Sequence, residues 1–582
     1  MGDSQLLRQL TQQVLFNYRT LLFWGVLLYI PVTLLALAQP LVIGAAVDYG
    51  MQQRDVGVVL QWAGIYLGVV LLSAGVEVLQ MQLVQLAGQR VLRDLRHQLF
   101  AKAQRLPMAF FSHTPLGQAL SRITNDTQAL GEVFSTGAVA IISDALFVIG
   151  TLLMLLLVDT QLSLAVLLWM PVLALGMWLF RTWTQAAYHR VRSTLAQLSG
   201  HMQEYLAGTF TAQLFGQTQR ICSDFQQHNN THMHAYRRAV LLDAAIYSFI
   251  DAMSFVATAS VLWFAYGQKQ TGALQMGILV AFIEALGRFF QPLRELSNRY
   301  TIFQGALVCA RRIVQFLQLP EEEAPKLDAP AVKFTKNIAF NNVSFSYQQK
   351  NAQVLRNISF SINKGESVAL VGQTGAGKTT ITKLLYRLYD ATAGKICLDG
   401  VDIRQFSLPD LRHLFNIVPQ EVALMSATVR DNLCYGCASV SSEQIWQAIQ
   451  RCQIEDLIKR LGGLDTHIPA QGDHFSMGER QLLALCRALI TNSEILILDE
   501  ATANVDPYTE KHLQIATAAL LAQRTCFIVA HRLNTISRCN RILVFHEGQL
   551  VQQGQHQELL ASGGIYAKLY QLQQQQEMLH IG

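Results

Sequence analysis

The sequence predicts a two-part chain: an all-α membrane domain of six helices, followed by an α/β domain built around a phosphate-binding loop. Three observations predict it. Six long apolar runs crowd into the first 300 residues. A glycine-rich stretch, Val371 to Leu385 (VGQTGAGKTTITKLL), joins an apolar strand pattern to a helix pattern. A second apolar run, Ile495 to Leu498, ends in the carboxylate pair Asp499-Glu500.

A bilayer-crossing helix needs about 20 mostly apolar residues. Stretches 21–47, 58–85, 133–157, 162–181, 243–267 and 274–293 meet that requirement. The third and fourth are separated only by Val158-Asp159-Thr160-Gln161, a tight helical hairpin. Hydrophobic residues make up 51% of the chain and charged residues only 15%. Six runs this poor in charge argue against a large buried helical core. The 582 residues also exceed what one core organises. The expected division is 1–318 for the membrane domain, 319–332 for a Pro-rich acidic linker (LPEEEAPKLDAPAV), and 333–582 for the α/β domain.

Arginine and lysine set the orientation. The stretch between spans two and three carries Arg90, Arg93, Arg96, Lys102, Arg105 and Arg122. The stretch between spans four and five carries Arg190, Arg192, Arg220, Arg237 and Arg238. Both long loops, both termini and the α/β domain are therefore expected in the cytoplasm, with Arg54 and Lys269 outside. The long loops show helical periodicity and no strand signal, so the span helices should continue well out of the bilayer. A net charge of +5 gives no argument for a nucleic-acid partner.

Glu77, Asp144, Asp251 and Glu284 fall within spans. Each should cost about 2.5–3.5 kcal/mol if it faced lipid at mid-bilayer. They are expected to face a bundle interior or a cavity, either in substrate contact or in helix–helix hydrogen bonds. Nine cysteines occur, none in a span or an outside loop, so no disulfide framework is expected. Cys434 and Cys437 have metal-ligand spacing, but no second pair or histidine cluster joins them.

Gly372-Gln373-Thr374-Gly375-Ala376-Gly377-Lys378-Thr379 fits GxxxxGK[ST] in full, with a strand expected at Ser367–Val371 and a helix at Thr380–Tyr386. Backbone N–H groups in such a loop curl around phosphates, and the helix N-terminus favours their charge. Lys378 would reach the outer phosphates and the Thr379 hydroxyl would bind Mg²⁺. Asp499, at the edge of a buried strand, would hold Mg²⁺ through water, and Glu500 would polarise the attacking water. Phe475-Ser476-Met477-Gly478-Glu479-Arg480-Gln481 lies between the two motifs and leads a helix expected at Leu482–Ile490.

The order of aromatic strand, phosphate loop, Val418-Pro419-Gln420, Ser476-x-Gly478, Asp499-Glu500 and Ala530-His531-Arg532 resembles the ATP-binding cassette of ABC transporters. With six spans ahead of it, the whole chain resembles an ABC exporter half-transporter of the bacterial multidrug or lipid type. The resemblance implies ATP as substrate and Mg²⁺ as cofactor, with nucleotide held by Tyr347 against adenine, by Gly372 through Thr380, and by Ser476 and Gly478. It implies that Gln420 senses Mg²⁺ and the γ-phosphate, and that His531 positions Glu500 and the water. Phe110 to Gly117 resembles the first intracellular coupling loop, and the segment around Thr209–Arg220 the second. The implied activity is ATP-driven export of lipophilic or amphipathic compounds by alternating access, from a bacterial inner or plasma membrane. An exporter-fold importer and an ATP-gated channel are the alternatives.

One cassette per chain implies a dimer. The family signature Leu-Ser-Gly-Gly-Gln reads Phe475-Ser476-Met477-Gly478-Glu479 here. Met477 adds bulk, and Glu479 places a charge where an anion is expected. Pro469-Ala470 replaces a usual Gly-Glu pair, and Asn504-Val505 precedes Asp506 in place of Ser-Ala. An altered signature beside an intact catalytic half implies a heterodimer with a second half-transporter in preference to a homodimer.

Overall fold

The computed structural model describes residues 16–51, 55–135, 138–270, 275–322, 329–347, 353–437, 440–469, 475–499, 507–521, 524–529 and 533–581. Two compact units are present. One comprises residues 1–105 and 114–319. The other comprises 320–582 together with Leu106–His113.

Among the described residues, the first unit is built of helices, with no strand. Among the described residues, six helices are long and apolar enough to cross a membrane: Arg19–Met51, Val56–Gln104, Ile141–Val158, Thr160–Ala207, Thr218–Gly267 and Met276–Glu295. Helix Val56–Gln104 has 49 residues and helix Thr218–Gln270 has 53. At 1.5 Å per residue these are about 75–80 Å long, more than twice the hydrocarbon thickness. The long loops are thus extensions of the span helices, as periodicity predicts. Asp55 and Asp159 cap two of the helices, each carboxylate accepting two backbone N–H groups.

Three of the four intramembrane acids, Asp144, Asp251 and Glu284, are paired, and the last span helix, Met276–Leu317, supplies the cations. Arg294 meets Asp251 at 2.5 Å, and Arg299 meets Asp144 at 2.5 Å and also Glu295. Arg288 donates to Glu284 at 3.0 Å and to Gln39 of the first span at 2.6 Å. One helix is thereby tied by charge-assisted contacts to the first, third and fifth spans. Of the two readings of these acids, helix–helix pairing is what the geometry displays for Asp144 and Asp251, whereas Glu284 pairs with Arg288 one turn along its own helix. Glu77 is exposed on its helix.

Near the start of that last helix the backbones touch. The Gly277 N–H donates to Asp48 Oδ1 at 2.6 Å. A Cβ on Gly277 would overlap the Gly44 carbonyl and the Asp48 carboxylate, whereas one on Gly287 would meet open space. Close crossings of this kind depend on small residues. Gly277→Ala should therefore destabilise the membrane unit by about 1–3 kcal/mol, the usual range for overpacking. Gly287→Ala, in the same helix, should leave thermal unfolding in detergent unchanged. Equal melting temperatures for the two variants would refute the close crossing.

The second unit is α/β. Among the described residues its ten strands are β1 (Asn337–Phe345), β2 (Leu355–Asn363), β3 (Ser367–Gly372), β4 (Ala393–Leu398), β5 (Val401–Asp402), β6 (Phe415–Val418), β7 (Ile495–Asp499), β8 (Thr525–Val529), β9 (Arg541–His546) and β10 (Gln549–Gly554). Six form a sheet ordered β10-β9-β3-β8-β7-β6, in which every pairing but β10–β9 is parallel. The other four form an antiparallel sheet ordered β2-β1-β4-β5. The parallel strands are buried on both faces, hence their unbroken apolar runs. Along β3, Val368 and Leu370 join one hydrophobic core while Ala369 and Val371 join the other.

Three helices matter for the site: α1 (Lys378–Leu385), α2 (Met477–Thr491) and α3 (Pro507–Leu521). Two begin earlier than their sequence pattern suggests. Helix α1 starts at Lys378 rather than Thr380, directly after Gly377, whose φ of +97° turns the chain into it. Helix α2 starts at Met477 rather than Leu482, because Ser476 and Glu479 form a capping box.

Candidate functional site

Strand register gathers the predicted residues at one edge of the parallel sheet. Leu370 of β3 pairs with Val529 of β8, Val529 with Asp499 of β7, and Leu498 of β7 with Val418 of β6. These strand ends are neighbours. The glycine-rich loop leaves β3 at Gly372, Gln420 follows β6 by two residues and is exposed, and Asp499 closes β7. Glu500, Asn504 to Asp506, and His531 lie outside the described residues. Glu500 directly follows Asp499, and His531 follows Val529 by two positions.

The loop is shaped by its glycines at two points. Gly375 and Gly377 have φ of +86° and +97°, values that side-chain-bearing residues rarely adopt. Gln373, Thr374 and Gly375 are exposed, while Ala376 and Gly377 are buried. Lys378 is only 6% exposed, and its ammonium donates to the carbonyls of Gly372 at 2.6 Å and Gln373 at 3.0 Å. Burial pushes the Lys378 pKa below the ordinary lysine value, and the nearby Asp499 carboxylate partly restores it. Burial also lifts the Tyr386 hydroxyl to about 12, with the Asp499 charge adding to the shift. The loop thus keeps one buried cation among oxygen acceptors beside a carboxylate.

Thr379 and Thr380 differ. Thr379 is exposed in the first turn of α1, where its hydroxyl can join a hard cation. Thr380 is buried, and its hydroxyl shares a 3.1 Å hydrogen bond with the Tyr347 hydroxyl. Tyr347 also has the Lys383 ammonium 5.8 Å from its ring centroid. A donor set of one hydroxyl, one carboxylate and a glutamine amide offers oxygen only. That suits Mg²⁺, which takes few protein ligands beside waters and phosphates.

The signature corrects an expectation. Glu479 was expected to set its charge toward an approaching anion. Instead its carboxylate turns back, accepting the Ser476 N–H at 2.9 Å and pairing with the Arg460 guanidinium. The Ser476 hydroxyl accepts the Glu479 N–H at 3.2 Å, and a hydroxyl that accepts can still donate its proton elsewhere. Gly478 is buried and Met477 is 48% exposed. The Ser-x-x-Glu spacing of a capping box was readable from sequence; the contribution of Arg460 was not, because it stands 19 positions away.

Gln481 of α2, with Leu498, Asp499, Leu513 and Thr517, lines a cavity of about 30 Å³. Cys434 and Cys437 belong to no group that could hold a metal among the described residues.

Comparison with known proteins agrees with this geometry. The ABC transporter transmembrane region family matches residues 22–293, and the ABC transporter family matches residues 355–503. A probable multidrug resistance ABC transporter ATP-binding/permease protein of Bacillus subtilis is 32% identical over 88% of this chain and 76% of its own. An ATP-dependent lipid A-core flippase of Syntrophus aciditrophicus is 33% identical over 86% of this chain and 84% of its own. The solved structure of a bacterial Atm1-family ABC exporter with ATP bound is similar, with a TM-score of 0.76 and 27% identity. That match covers 95% of this chain and 99% of the exporter. The chain belongs to the ABC transporter family: it is an integral membrane, ATP-hydrolysing half-transporter of the exporter type, with six spans fused to one ATP-binding cassette.

Proposed function

We propose that this chain exports lipophilic or amphipathic compounds, drugs or lipids, by alternating access as one half of a heterodimer. The observation that carries the reading is the single sheet edge that gathers the phosphate loop, Gln420 and Asp499 in a chain whose other unit spans the membrane. The similarity to a probable multidrug resistance transporter and to a lipid A-core flippase supports that substrate class. The arginine-bearing extensions support a bacterial inner-membrane protein with its cassette and both termini on the cytoplasmic side.

In this reading, backbone N–H groups from Gly372 to Thr380 and the Lys378 ammonium bind the triphosphate of ATP, and Tyr347 takes the base. Thr379, Asp499 and Gln420 would hold Mg²⁺, which neutralises charge on the phosphates. Glu500 activates water, His531 positions it, and Ser476 and Gly478 face the partner's nucleotide. Cassette closure around ATP turns the cavity outward, and hydrolysis resets it.

Two features support a partner. The short helix Thr209–Leu214 exposes Phe210 and Leu214 at 77% and 68%, and Phe215, directly after it, is 69% exposed. They sit in a polar extension beyond the spans, where a protein surface can cover them. The altered signature favours a different partner over a second copy. In a homodimer both competent catalytic halves would face Phe-Ser-Met-Gly-Glu. A partner with Leu-Ser-Gly-Gly-Gln, lacking the glutamate after its strand aspartate, would complete the site holding Glu500. Mass and ATPase rate should be measured for the purified chain alone and with such a partner, across a panel of lipophilic compounds. The pair should be the active, compound-stimulated species. A stable dimer of identical chains with full stimulated activity would overturn the proposal.

A further inference from the structure

The aromatic side chain assigned to the base is tied at both ends. At one end its hydroxyl meets Thr380 in the first turn of α1. At the other, the Tyr347 ring meets Tyr389 edge-on, with centroids 5.2 Å apart at 90°. Phe345 packs edge-on against both rings, at 4.9 and 5.7 Å. The three rings form one closed cluster in which each ring packs edge-on against the other two.

Tyr389 then leaves the cluster. Its hydroxyl donates to Ser112 Oγ at 3.1 Å, across 277 positions of sequence. Ser112 lies in the short helix Met108–His113 and donates in turn to the Ala109 carbonyl at 2.9 Å. Segment Leu106–His113 is compact with the cassette, although it lies between the second and third spans in sequence. A continuous path of two contacts therefore runs from the Tyr347 ring, through Tyr389, into this segment.

The geometry points to Tyr389 as a positioning residue that reports occupancy of the base position to segment 106–113. The inference rests on the reading of Tyr347 as the face that takes a purine base. A stacked base fixes the tilt of Tyr347, the edge-on contact fixes Tyr389, and the Tyr389 hydroxyl steadies Ser112. An edge-on ring pair and a neutral hydrogen bond each shift an equilibrium by about two- to tenfold. The path answers to the base: the tie from Tyr347 to the phosphate-binding helix runs through the Thr380 side-chain hydroxyl, not through the backbone N–H groups or the Lys378 ammonium assigned to the phosphates. A ligand with phosphates but no base should leave it unaffected.

The test is hydrogen–deuterium exchange of peptide 106–113 in the full-length assembled transporter, with ATP, with tripolyphosphate, and with neither. In the unaltered protein ATP should slow exchange there by about two- to tenfold, and tripolyphosphate should not. Tyr389→Phe keeps the ring and loses the hydroxyl. It should abolish the ATP-dependent protection while the affinity for ATP stays unchanged. Ser112→Ala should do the same, and the double variant should be no worse than either alone, as expected of one shared bond. Protection that survives Tyr389→Phe, or that tripolyphosphate reproduces, would overturn the inference. Loss of ATP affinity in Tyr347→Ala checks the underlying reading separately. If that variant binds ATP normally, the base is not on Tyr347, and both the base assignment and this inference fail.

Discussion

Glu500→Gln should lower ATP turnover of the assembled transporter by about 10²- to 10⁴-fold, the range spanned by a lost general base, while ATP binding is retained. The argument runs through strand β7. Asp499 is its last residue and pairs with Val529 of β8, beside the strand that feeds the phosphate loop. Glu500 is the next residue in sequence, and the proposed mechanism assigns it to the water that attacks the terminal phosphate. Glutamine keeps the size and one acceptor oxygen of glutamate but accepts no proton from water. The variant should therefore bind nucleotide, close the paired cassettes and stall. Steady-state phosphate release and titration with a fluorescent ATP analogue separate the two effects. Wild-type turnover in this variant would remove Glu500 from the mechanism.

Residues close together in sequence were the ones legible without a structure. The six spans, the loop Gly372–Thr379 and the run into Asp499 are local patterns, in which periodicity or spacing carries the physics. The parallel sheet follows from them, because strands buried on both faces read as apolar runs. Pairings between distant residues were not legible. Asp144 and Asp251 stood out as costly charges, yet nothing local named Arg299 and Arg294 as their partners, whereas Glu284 pairs with Arg288 at the local i,i+4 spacing. Arg299 stands 155 positions from Asp144, and the carboxylate and guanidinium become neighbours only when the last span crosses the third. The same holds for Tyr389 and Ser112. Glu479 misled for a different reason. Its charge was weighed against an external phosphate, whereas a carboxylate at the third position of a helix is drawn first to the N-cap N–H and then to Arg460. Local capping is already in place when a ligand arrives, so a charge in a signature must be checked for an internal partner first.

Lys378→Ala should weaken ATP binding by about 10- to 100-fold, the loss expected when charge-assisted hydrogen bonds to the phosphates are removed. The side chain is buried, and its ammonium already holds the Gly372 and Gln373 carbonyls at 2.6 and 3.0 Å. Those carbonyls keep the cation at the mouth of the loop, so little reordering is needed when phosphates arrive. Burial lowers the lysine pKa in the free protein, and a bound triphosphate would raise it again. Binding then favours the charged form. Affinity should be full at neutral pH and fall as pH rises through the lowered pKa, at alkaline values short of the ordinary lysine range. The alanine variant should lack this alkaline limb, because it has no proton to lose. Titrations with a fluorescent nucleotide at a series of pH values read both effects, and thermal unfolding reports whether the loop survives the substitution. A variant that folds normally, binds ATP like the parent and keeps the alkaline limb would show that the phosphates are held by the backbone alone. Lys378 would then serve only to brace the two carbonyls.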